Sequence, residues 1–150
     1  MGLRRLRAFL RGHGRIALDT NVFIYHFEAN AKYQAFTDPI VEWLEEADSL
    51  GVASTITLTE MLVQPLRDGD VARAHLYDGL LSTYPNLQWI APDLDVARLA
   101  AHYRAQYRLK TIDALIAATA IHASATGLIT NDAALSRIEG LDVLVLETLL

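Results

Sequence analysis

Four acidic residues stand where an apolar segment of the sequence ends or a helix is expected to begin. Asp19 directly follows the apolar run at residues 16–18 and is itself followed by a second apolar run. Glu60, Asp113 and Asp132 occupy comparable positions further along the chain. A carboxylate beside a hydrophobic core is costly to desolvate unless it is neutralised or hydrogen-bonded. These four acids are therefore candidates for a site with a chemical role.

Each of the four acids also has a purely structural explanation. Asp19 and Asp132 can each cap the helix expected to follow them. Thr57 and Glu60 have the spacing of a capping box, in which a Thr and a Glu three residues later satisfy the first backbone N–H groups of a helix. Asp113 can favour the N-terminal end of a helix through the helix dipole. A shared site is indicated only by the four acids together.

Four converging acids favour a bound divalent cation. Carboxylates that lie close together raise each other's energy unless a cation neutralises them. Sets of oxygen ligands select Mg²⁺ or Mn²⁺ over Zn²⁺. The chain has no cysteine, and its five histidines show no paired spacing such as H-x-x-x-H. We therefore expect a Mg²⁺ or Mn²⁺ ion, held by Asp19, Glu60, Asp113 and Asp132.

The elements that would position these acids alternate between short apolar strands and longer helices. Hydrophobic runs predict five strands, at residues 16–18, 52–56, 88–91, 127–130 and 142–146. Caps and periodicity predict helices at residues 38–50, 57–67, 70–84, 93–107, 111–125 and 133–137. The first of these helices is assigned from Asp38 as its N-cap and Pro39 as its first residue.

This alternation predicts an α/β fold, a three-layer α/β/α sandwich with a central parallel sheet of about five strands. Right-handed crossovers bring the carboxyl ends of all the strands to one edge of such a sheet. Ligands of these folds bind at that edge, near the point where the strand order reverses. All four acids fall at strand carboxyl ends or helix N-termini, and so belong to that edge.

The overall composition fits a single domain spanning residues 1–150. The chain is 52% hydrophobic and carries a net charge of −5. The absence of cysteine fits the cytoplasm, and no apolar run approaches the ~20 residues of a membrane span. We therefore expect a cytoplasmic protein without membrane association. The apolar excess favours an oligomer that hides a surface patch.

Residues 1–14 are predicted to be an arginine-rich N-terminal extension of this domain. The first 15 residues contain no acid and five arginines, at positions 4, 5, 7, 11 and 15. Such a segment is expected to be a solvated, partly frayed terminus. The alternative is an arm that contacts phosphate groups.

Four segments of the sequence together resemble the PIN domain family, and most of all the VapC-type toxins of toxin–antitoxin pairs. They are LDTNVFIY at 18–25, TLTEMLVQPLRDGD at 57–70, IDALIAATA at 112–120 and LITND at 128–132. The likeness extends from about residue 16 to about residue 145. It implies a metal-dependent endoribonuclease on a parallel α/β/α sandwich. It also implies an RNA substrate, an antitoxin protein as partner, and a homodimer.

The resemblance assigns roles to individual residues. Asp19 and Asp113 correspond to the most regular metal ligands of the family, and Glu60 and Asp132 complete the cluster directly or through water. Polar positions that line the family's site, expected to contact substrate, are matched here by Thr20, Asn21, Thr130 and Asn131. After Asp132 such proteins often carry a further acid and an aromatic residue, where this chain has Ala-Ala-Leu.

The expected reaction is hydrolysis of a phosphodiester bond in single-stranded or looped RNA, because unstacked strands can enter such a cleft. Glu60 and Asp132 would orient water or act as a general base. Candidate contacts to the RNA are the N-terminal arginines and Arg104, Arg108 and Lys110.

Three alternative functions remain at this stage. A PIN-type nuclease that processes RNA without an antitoxin would share every motif above. A non-catalytic RNA-binding or protein-binding module would keep the same fold, although it has little reason to carry four converging charges. A phosphatase using Asp19 as nucleophile would expect a second acid two residues later, where this chain has Asn21.

Overall fold

The computed structural model describes residues 1–150 and contains one sheet of five parallel strands. The strands are β1 (Ile16–Leu18), β2 (Gly51–Ser54), β3 (Leu87–Ile90), β4 (Gly127–Thr130) and β5 (Asp142–Val145). They lie in the order β3-β2-β1-β4-β5, and every neighbouring pair is parallel. The chain moves outward from β1 to β3 and then returns to place β4 on the other side of β1. This reversal opens a crevice at the carboxyl ends of β1 and β4.

Seven α-helices cover the two faces of the sheet. They are α1 (Gly2–Gly12), α2 (Thr20–Phe27), α3 (Gln34–Leu44), α4 (Thr55–Arg67), α5 (Val71–Thr83), α6 (Leu94–Tyr107) and α7 (Thr111–His122). Two short 3-10 helices follow, Ala133–Arg137 and Leu146–Leu149. The predicted α/β/α sandwich is confirmed. No helix is both long enough and apolar enough to cross a membrane.

Alternate residues of the central strands enter two separate cores. Ile16 and Leu18 of β1 belong to a core of 17 buried residues that also includes side chains from α1 to α5. Ala17 belongs to a second core of 15 buried residues on the opposite face, which α6 and α7 cover. This alternation follows from the period of two along a strand. Short alanine side chains on α7 let this helix pack closely on β2 and β4.

The helix predicted at residues 38–50 is placed wrongly, because α3 begins and ends earlier. Pro39 lies inside α3, preceded by one and a half turns of helix. The backbone N–H groups of Gln34 and Thr37 donate to the carbonyls of Asn30 and Tyr33. Tyr33 and Thr37 are both buried. Burial of this early turn outweighs the one helical hydrogen bond that proline cannot donate.

The boundary between β2 and α4 also differs from the sequence prediction. The strand ends at Ser54, whose hydroxyl accepts from the Ile56 N–H at 3.2 Å and caps α4. Two residues predicted as strand therefore belong to the helix. Pro65 lies inside α4 without breaking it. A local cap determined this boundary more strongly than the β-branched residues that follow it.

The N-terminal extension is a docked helix, so the expectation of a frayed terminus is wrong. Leu6 and Leu10 of α1 are buried in the first core. Arg5 donates to the backbone carbonyl and hydroxyl of Thr148, at 3.2 and 3.0 Å. After α1, the His13 ring contacts Thr126 and Asp142, both at 2.8 Å. Contacts at both ends therefore hold α1 on the sheet.

Candidate metal and catalytic site

The four predicted acids line a single cleft at the carboxyl edge of the sheet. The cleft has a volume of about 210 Å³. Its walls are Asp19, Thr20, Asn21, Ile24, Glu60, Ile112, Asp113 and Asp132. It lies where β1 and β4 end side by side, the point of strand reversal in this topology. The tertiary structure thus brings together acids that are up to 113 positions apart in sequence.

Asp19 joins the end of β1 to the start of α2. Its backbone N–H donates to the Ile129 carbonyl at 3.0 Å, which extends the pairing of β1 with β4 by one residue. One carboxylate oxygen accepts from the Thr20 N–H at 2.7 Å. The other accepts from the Thr130 hydroxyl at 2.7 Å. Asp19 is therefore both the N-cap of α2 and a wall of the cleft.

The Asp19 carboxyl is only 6% exposed, and its burial raises its pKa above the ordinary value. The hydrogen bonds from Thr130 and Thr20 oppose this rise without cancelling it. The negative charges of Glu60 and Asp132 add to it. The protein therefore holds this acid ready for a cation but does not itself neutralise the charge.

Glu60 reaches the cleft from the second turn of α4. The predicted capping box does not form, because Ser54 caps α4 and Thr57 lies inside the helix. Glu60 instead accepts from the Thr20 hydroxyl at 2.7 Å. The Thr57 and Thr20 hydroxyl oxygens lie 2.9 Å apart. Since the single hydroxyl proton of Thr20 goes to Glu60, Thr57 must donate to Thr20, and this chain of bonds ties α2 to α4.

Asp113 and Asp132 form a hydrogen-bonded pair in the cleft. Asp113 lies in the first turn of α7, and Asp132 follows β4. Burial, together with the charge of Asp132 and a hydrogen bond to it, raises the pKa of Asp113 to about 6. The charge of Asp19 adds to this rise, and Lys110 opposes it. Asp113 therefore does more than complement the dipole of α7, because a helix dipole alone would lower its pKa.

Asp132 is held by two backbone contacts. Its N–H donates to the Thr130 hydroxyl oxygen at 3.0 Å, and its carboxylate accepts from the Ala134 N–H at 3.0 Å. The second bond caps the 3-10 helix Ala133–Arg137, as the sequence suggested. Thr130 thus orients two acids of the site with one hydroxyl group.

The four predicted polar residues divide into two pairs. Thr20 and Asn21 line the cleft. Thr130 is fully buried behind Asp19, and Asn131 donates its backbone N–H to the Asn21 side chain at 3.2 Å. The structure gives Thr130 and Asn131 positions from which they hold the acids in place. Contact of these four residues with substrate remains a prediction.

The Asn131 side chain lies in a hydrogen-bond network that sequence reasoning missed. Its amide nitrogen lies 3.0 Å from the hydroxyls of both Tyr25 and Tyr33. Its amide oxygen accepts from the Glu147 N–H at 2.8 Å. The Tyr33 hydroxyl also donates to the Glu147 carboxylate, and the two tyrosine rings stack with centroids 4.4 Å apart.

Only one member of this network had a signal in the sequence. Tyr25 lies four residues after Asn21 and therefore on the same face of α2 as that predicted site residue. Tyr33 and Glu147 belong to no motif, and only the fold brings them to Asn131. Thr57 was also part of a sequence pattern, but that pattern predicted a capping box, which does not form.

The donor set of the cleft fits Mg²⁺ or Mn²⁺. Its carboxylates supply only oxygen atoms, as these hard cations prefer. None of the four acids forms an ion pair with a lysine, arginine or histidine. Burial first, and then the negative charges of neighbouring acids, raise the pKa of Asp19 and Asp113, so the protein itself disfavours their charged forms. A divalent cation would supply the missing compensation.

A second group of possible metal ligands lies outside the cleft, and local contacts explain its two acids. Asp93, Asp95 and His122 are exposed, and their ligand atoms fall within 4.8 Å of one another. Asp93 caps α6 through the Val96 N–H, at 2.9 Å, and Asp95 pairs with a neighbouring arginine at 3.2 Å. These local contacts account for the acids, and the group does not extend to the cleft.

The chain matches the family model described as PIN domain over residues 16–141. Comparison with curated protein sequences gives no significant match. Several solved structures share the fold. A toxin–antitoxin complex from Klebsiella pneumoniae is 25% identical with a TM-score of 0.64, covering 84% of this chain and 94% of that chain.

Two further structures were determined with DNA. VapBC2 from Rickettsia felis, bound to a DNA fragment from its promoter, is 18% identical with a TM-score of 0.69, covering 87% of this chain and 98% of that chain. VapBC from Salmonella typhimurium, also bound to DNA, is 19% identical with a TM-score of 0.66, covering 88% and 98% respectively. At these identities the likeness shows the fold.

Proposed function

Because the chain belongs to the PIN domain family, we propose that it is a divalent-metal-dependent endoribonuclease and the toxin of a VapBC-type toxin–antitoxin pair. The observation that carries the proposal is the cleft of four carboxylates with no cationic side chain paired to any of them. A purely structural cluster would be expected to have its charge neutralised within the protein. The fold similarity to toxin–antitoxin complexes supports the second half of the proposal.

In this proposal Asp19 and Asp113 hold Mg²⁺ or Mn²⁺, and Glu60 and Asp132 complete its surroundings. When bound, the ion would polarise the phosphoryl group and make water more acidic. In this proposal Glu60 or Asp132 would orient water or accept a proton from it, and the hydrogen bond from the Thr20 hydroxyl would hold Glu60 in position.

The neighbouring polar residues keep these acids in one arrangement. Thr130 fixes Asp19 and Asp132, and Thr20 fixes Glu60. Thr20 and Asn21 remain at the cleft wall, where they can donate or accept hydrogen bonds with an RNA strand. Single-stranded or looped RNA is the proposed substrate, because its backbone can enter an open cleft of this size.

The proposed partners are an antitoxin protein and a second copy of this chain. An antitoxin that places an arginine in the cleft would form charge-assisted hydrogen bonds with carboxylates that otherwise need a metal ion. A nuclease that processes RNA without an antitoxin is distinguished from this by the neighbouring reading frame. Co-expression with the product of an adjacent small gene should suppress cleavage if the chain is a toxin.

The proposal is tested by incubating a mixed RNA pool with the protein in Mg²⁺, Mn²⁺ or EDTA. We expect cleavage with either metal and none in EDTA. Asp19→Asn and Asp113→Asn should each reduce cleavage by at least about 100-fold, the size of effect expected for loss of a metal-site group. Asp68→Asn removes a carboxylate that pairs with Arg73 outside the cleft, and is the matched control. Cleavage that survives both EDTA and Asp113→Asn would end the metal-dependent proposal.

A further inference from the structure

We propose that the exposed basic face of α1 binds the phosphate backbone of RNA that enters the acidic cleft. This inference rests on the proposed nuclease function and identifies the surface that would capture the substrate. Helix α1 lies outside the residues matched by the family model, which begin at residue 16.

Three arginines of α1 share one face and make no hydrogen bond or ion pair within the protein. Arg4, Arg7 and Arg11 stand at positions i, i+3 and i+7 of a continuous helix, and all three are exposed. Leu6 and Leu10, which are buried in the core, lie on the adjoining side of the helix, and Leu10 lines a pocket together with Arg7 and Arg11. From Arg4 to Arg11 the face extends roughly 10 Å along the helix axis.

The other two basic residues of this segment are used to anchor it. Arg5 donates to Thr148, and Arg15 donates to the Ala123 carbonyl at 2.6 Å. The segment therefore contains two structural arginines and three that remain available to a ligand. Because the two structural arginines fix the helix in place, the three available arginines lose less conformational freedom when they bind RNA.

The N-terminal end of α1 lies at the same edge of the sheet as the cleft. Gly2 is packed so closely that a side-chain carbon there would lie 1.9 Å from the Leu149 carbonyl oxygen. Residues 146–149 follow the carboxyl end of β5, and the Glu147 N–H donates to Asn131, which precedes Asp132. The far end of α1 reaches Asp142 at the opposite end of β5 through His13. Arg4 is thus the member of the face nearest the cleft.

The distribution of charge along the chain favours binding of a polyanion at this face. Residues 16–150 contain eight Lys and Arg residues and all 18 acids, a net charge of −10. The cleft itself repels phosphate groups in the absence of metal. A protein with this balance needs a localised cationic surface to attract RNA, because local fields steer charged ligands more than the net charge does.

Two acids, one in α3 and one just after it, face part of this surface. Glu42 and Glu46 line a separate pocket of about 260 Å³ together with Arg7 and Arg11. Neither acid comes within 4.0 Å of an arginine of α1. They weaken the local potential at Arg7 and Arg11, whereas Arg4 does not line this pocket. We therefore expect Arg4 to make the largest single contribution to RNA binding.

The test measures the binding of a short fluorescent single-stranded RNA by the full chain carrying Asp19→Asn, which prevents cleavage. Anisotropy titrations between about 50 and 200 mM salt give the slope of log affinity against log salt, about −0.7 per phosphate contact on a single strand. Adding Arg4→Gln and Arg7→Gln should reduce the slope by about 1.4 and weaken binding roughly tenfold. Adding Arg11→Gln should reduce the slope further.

Two matched controls accompany this measurement. The pair Arg67→Gln and Arg98→Gln removes the same charge from exposed positions outside α1, and should change affinity less than about twofold. The pair Arg4→Lys and Arg7→Lys keeps the charge and should retain the salt slope, since a phosphate accepts a lysine as a point charge. Glutamine and arginine have similar helix propensities, so thermal melts should confirm that α1 remains folded.

The inference is overturned if the α1 pair behaves like the Arg67 and Arg98 pair. It is also overturned if duplex DNA binds as tightly as RNA through the same arginines, because the surface would then be a site for double-stranded DNA and not for an RNA substrate. The two proposals fail separately. A wild-type protein that binds RNA through α1 but never cleaves it would refute the nuclease and retain the binding surface.

Discussion

At the scale of single residues, the acids of the cleft combine structural and chemical roles. A carboxylate has two oxygens and several lone pairs, so a cap occupies only part of its capacity. Asp19 accepts from Thr20 as a cap and from Thr130 as a member of the site. Asp132 similarly caps a 3-10 helix while it raises the pKa of Asp113. The capping explanation and the site explanation are therefore both correct for these two acids.

The raised pKa of Asp113 predicts how metal-free stability depends on pH. The pKa is about 6 in the folded state against 3.8 in the absence of perturbation, so folding favours the protonated form. Its stabilising contribution is present below pH 3.8 and is lost as the pH rises through about 6. Asp113→Asn cannot ionise, and should stabilise the metal-free protein at pH 7 by roughly 0.5–2 kcal/mol. Thermal melts in EDTA should show this advantage at pH 7 and much less of it near pH 4.

The same substitution should reverse its effect when metal is present. Mn²⁺ or Mg²⁺ that binds only the folded state raises its stability, and Asp113→Asn weakens that binding. Melts with excess Mn²⁺ should therefore favour the wild type. If Asp113→Asn lowers the melting temperature in EDTA, and neither protein responds to Mn²⁺, Asp113 is a helix-terminal residue and not a ligand.

At the scale of elements, the site depends on how the segment after β4 is supported. Asn131 is held by α2 through Tyr25, by the segment before α3 through Tyr33, and by the segment after β5 through Glu147. The residue that follows Asn131 is one of the four acids. These three contacts therefore support the residue next to Asp132, in addition to the bonds that Thr130 and Ala134 make with Asp132 itself.

This support predicts an effect of Tyr33→Phe on activity. The substitution removes the hydroxyl that contacts both Asn131 and Glu147, while the ring keeps its stacking on Tyr25. We expect kcat to fall about tenfold and Mn²⁺ affinity to weaken, because metal sites lose roughly 10- to 100-fold when outer supporting contacts are removed. Metal titrations followed by calorimetry and steady-state cleavage assays measure both effects.

Tyr77→Phe is the matched control, since the Tyr77 hydroxyl has no hydrogen-bond partner in the protein and lies outside the cleft. Both variants should melt within a few degrees of the wild type, as loss of one hydrogen bond costs about 1 kcal/mol. Equal kcat and Mn²⁺ affinity in the two variants would show that the Asn131 network has no influence on the acids.

At the scale of the whole molecule, α1 is part of the domain core. Leu6 is fully buried in the same cluster as side chains from β1, β4 and β5. Leu6→Ala should therefore destabilise the protein by about 2–5 kcal/mol, the range for large-to-small substitutions in a core. Leu3→Ala, on the exposed part of the same helix, should change stability by less than about 0.5 kcal/mol. Urea unfolding of both variants compares them, and similar midpoints would mean that α1 is not docked in solution.

The exposed apolar side chains also concern the whole molecule. Leu76 and Leu80 share one face of α5 and are 58% and 43% exposed, and Leu66 near the end of α4 and Val71 at the start of α5 are exposed as well. An apolar surface of this kind is typical of an interface between subunits. We expect a homodimer in sedimentation at tens of micromolar, and a shift to monomer in the variant Leu76→Glu/Leu80→Glu. A wild-type protein that sediments only as a monomer would contradict this expectation.

The sequence by itself determined the fold class and the membership of the cleft. Strands β1 and β4 and the 3-10 helix Ala133–Arg137 lie at their predicted residues. Asp70 and Asp93 cap α5 and α6, at the residues where the sequence predicts these helices to begin. These features depend on local patterns, namely the period of hydrophobic residues and the chemistry of helix caps. The right-handed crossover then leaves one edge available for all four acids.

Only the tertiary structure decided how these pieces are held. The local pattern around Pro39 predicts a later start for α3, because it does not show that Tyr33 and Thr37 are buried. The arginines of α1 predict a solvated terminus, whereas its docking depends on the burial of Leu6 and Leu10 against the rest of the domain. The bonds from Thr130 to Asp19 and from Asn131 to Tyr33 join residues 111 and 98 positions apart. Such contacts, and the pKa of Asp113 that depends on them, arise from the packing of distant elements, which no local pattern encodes.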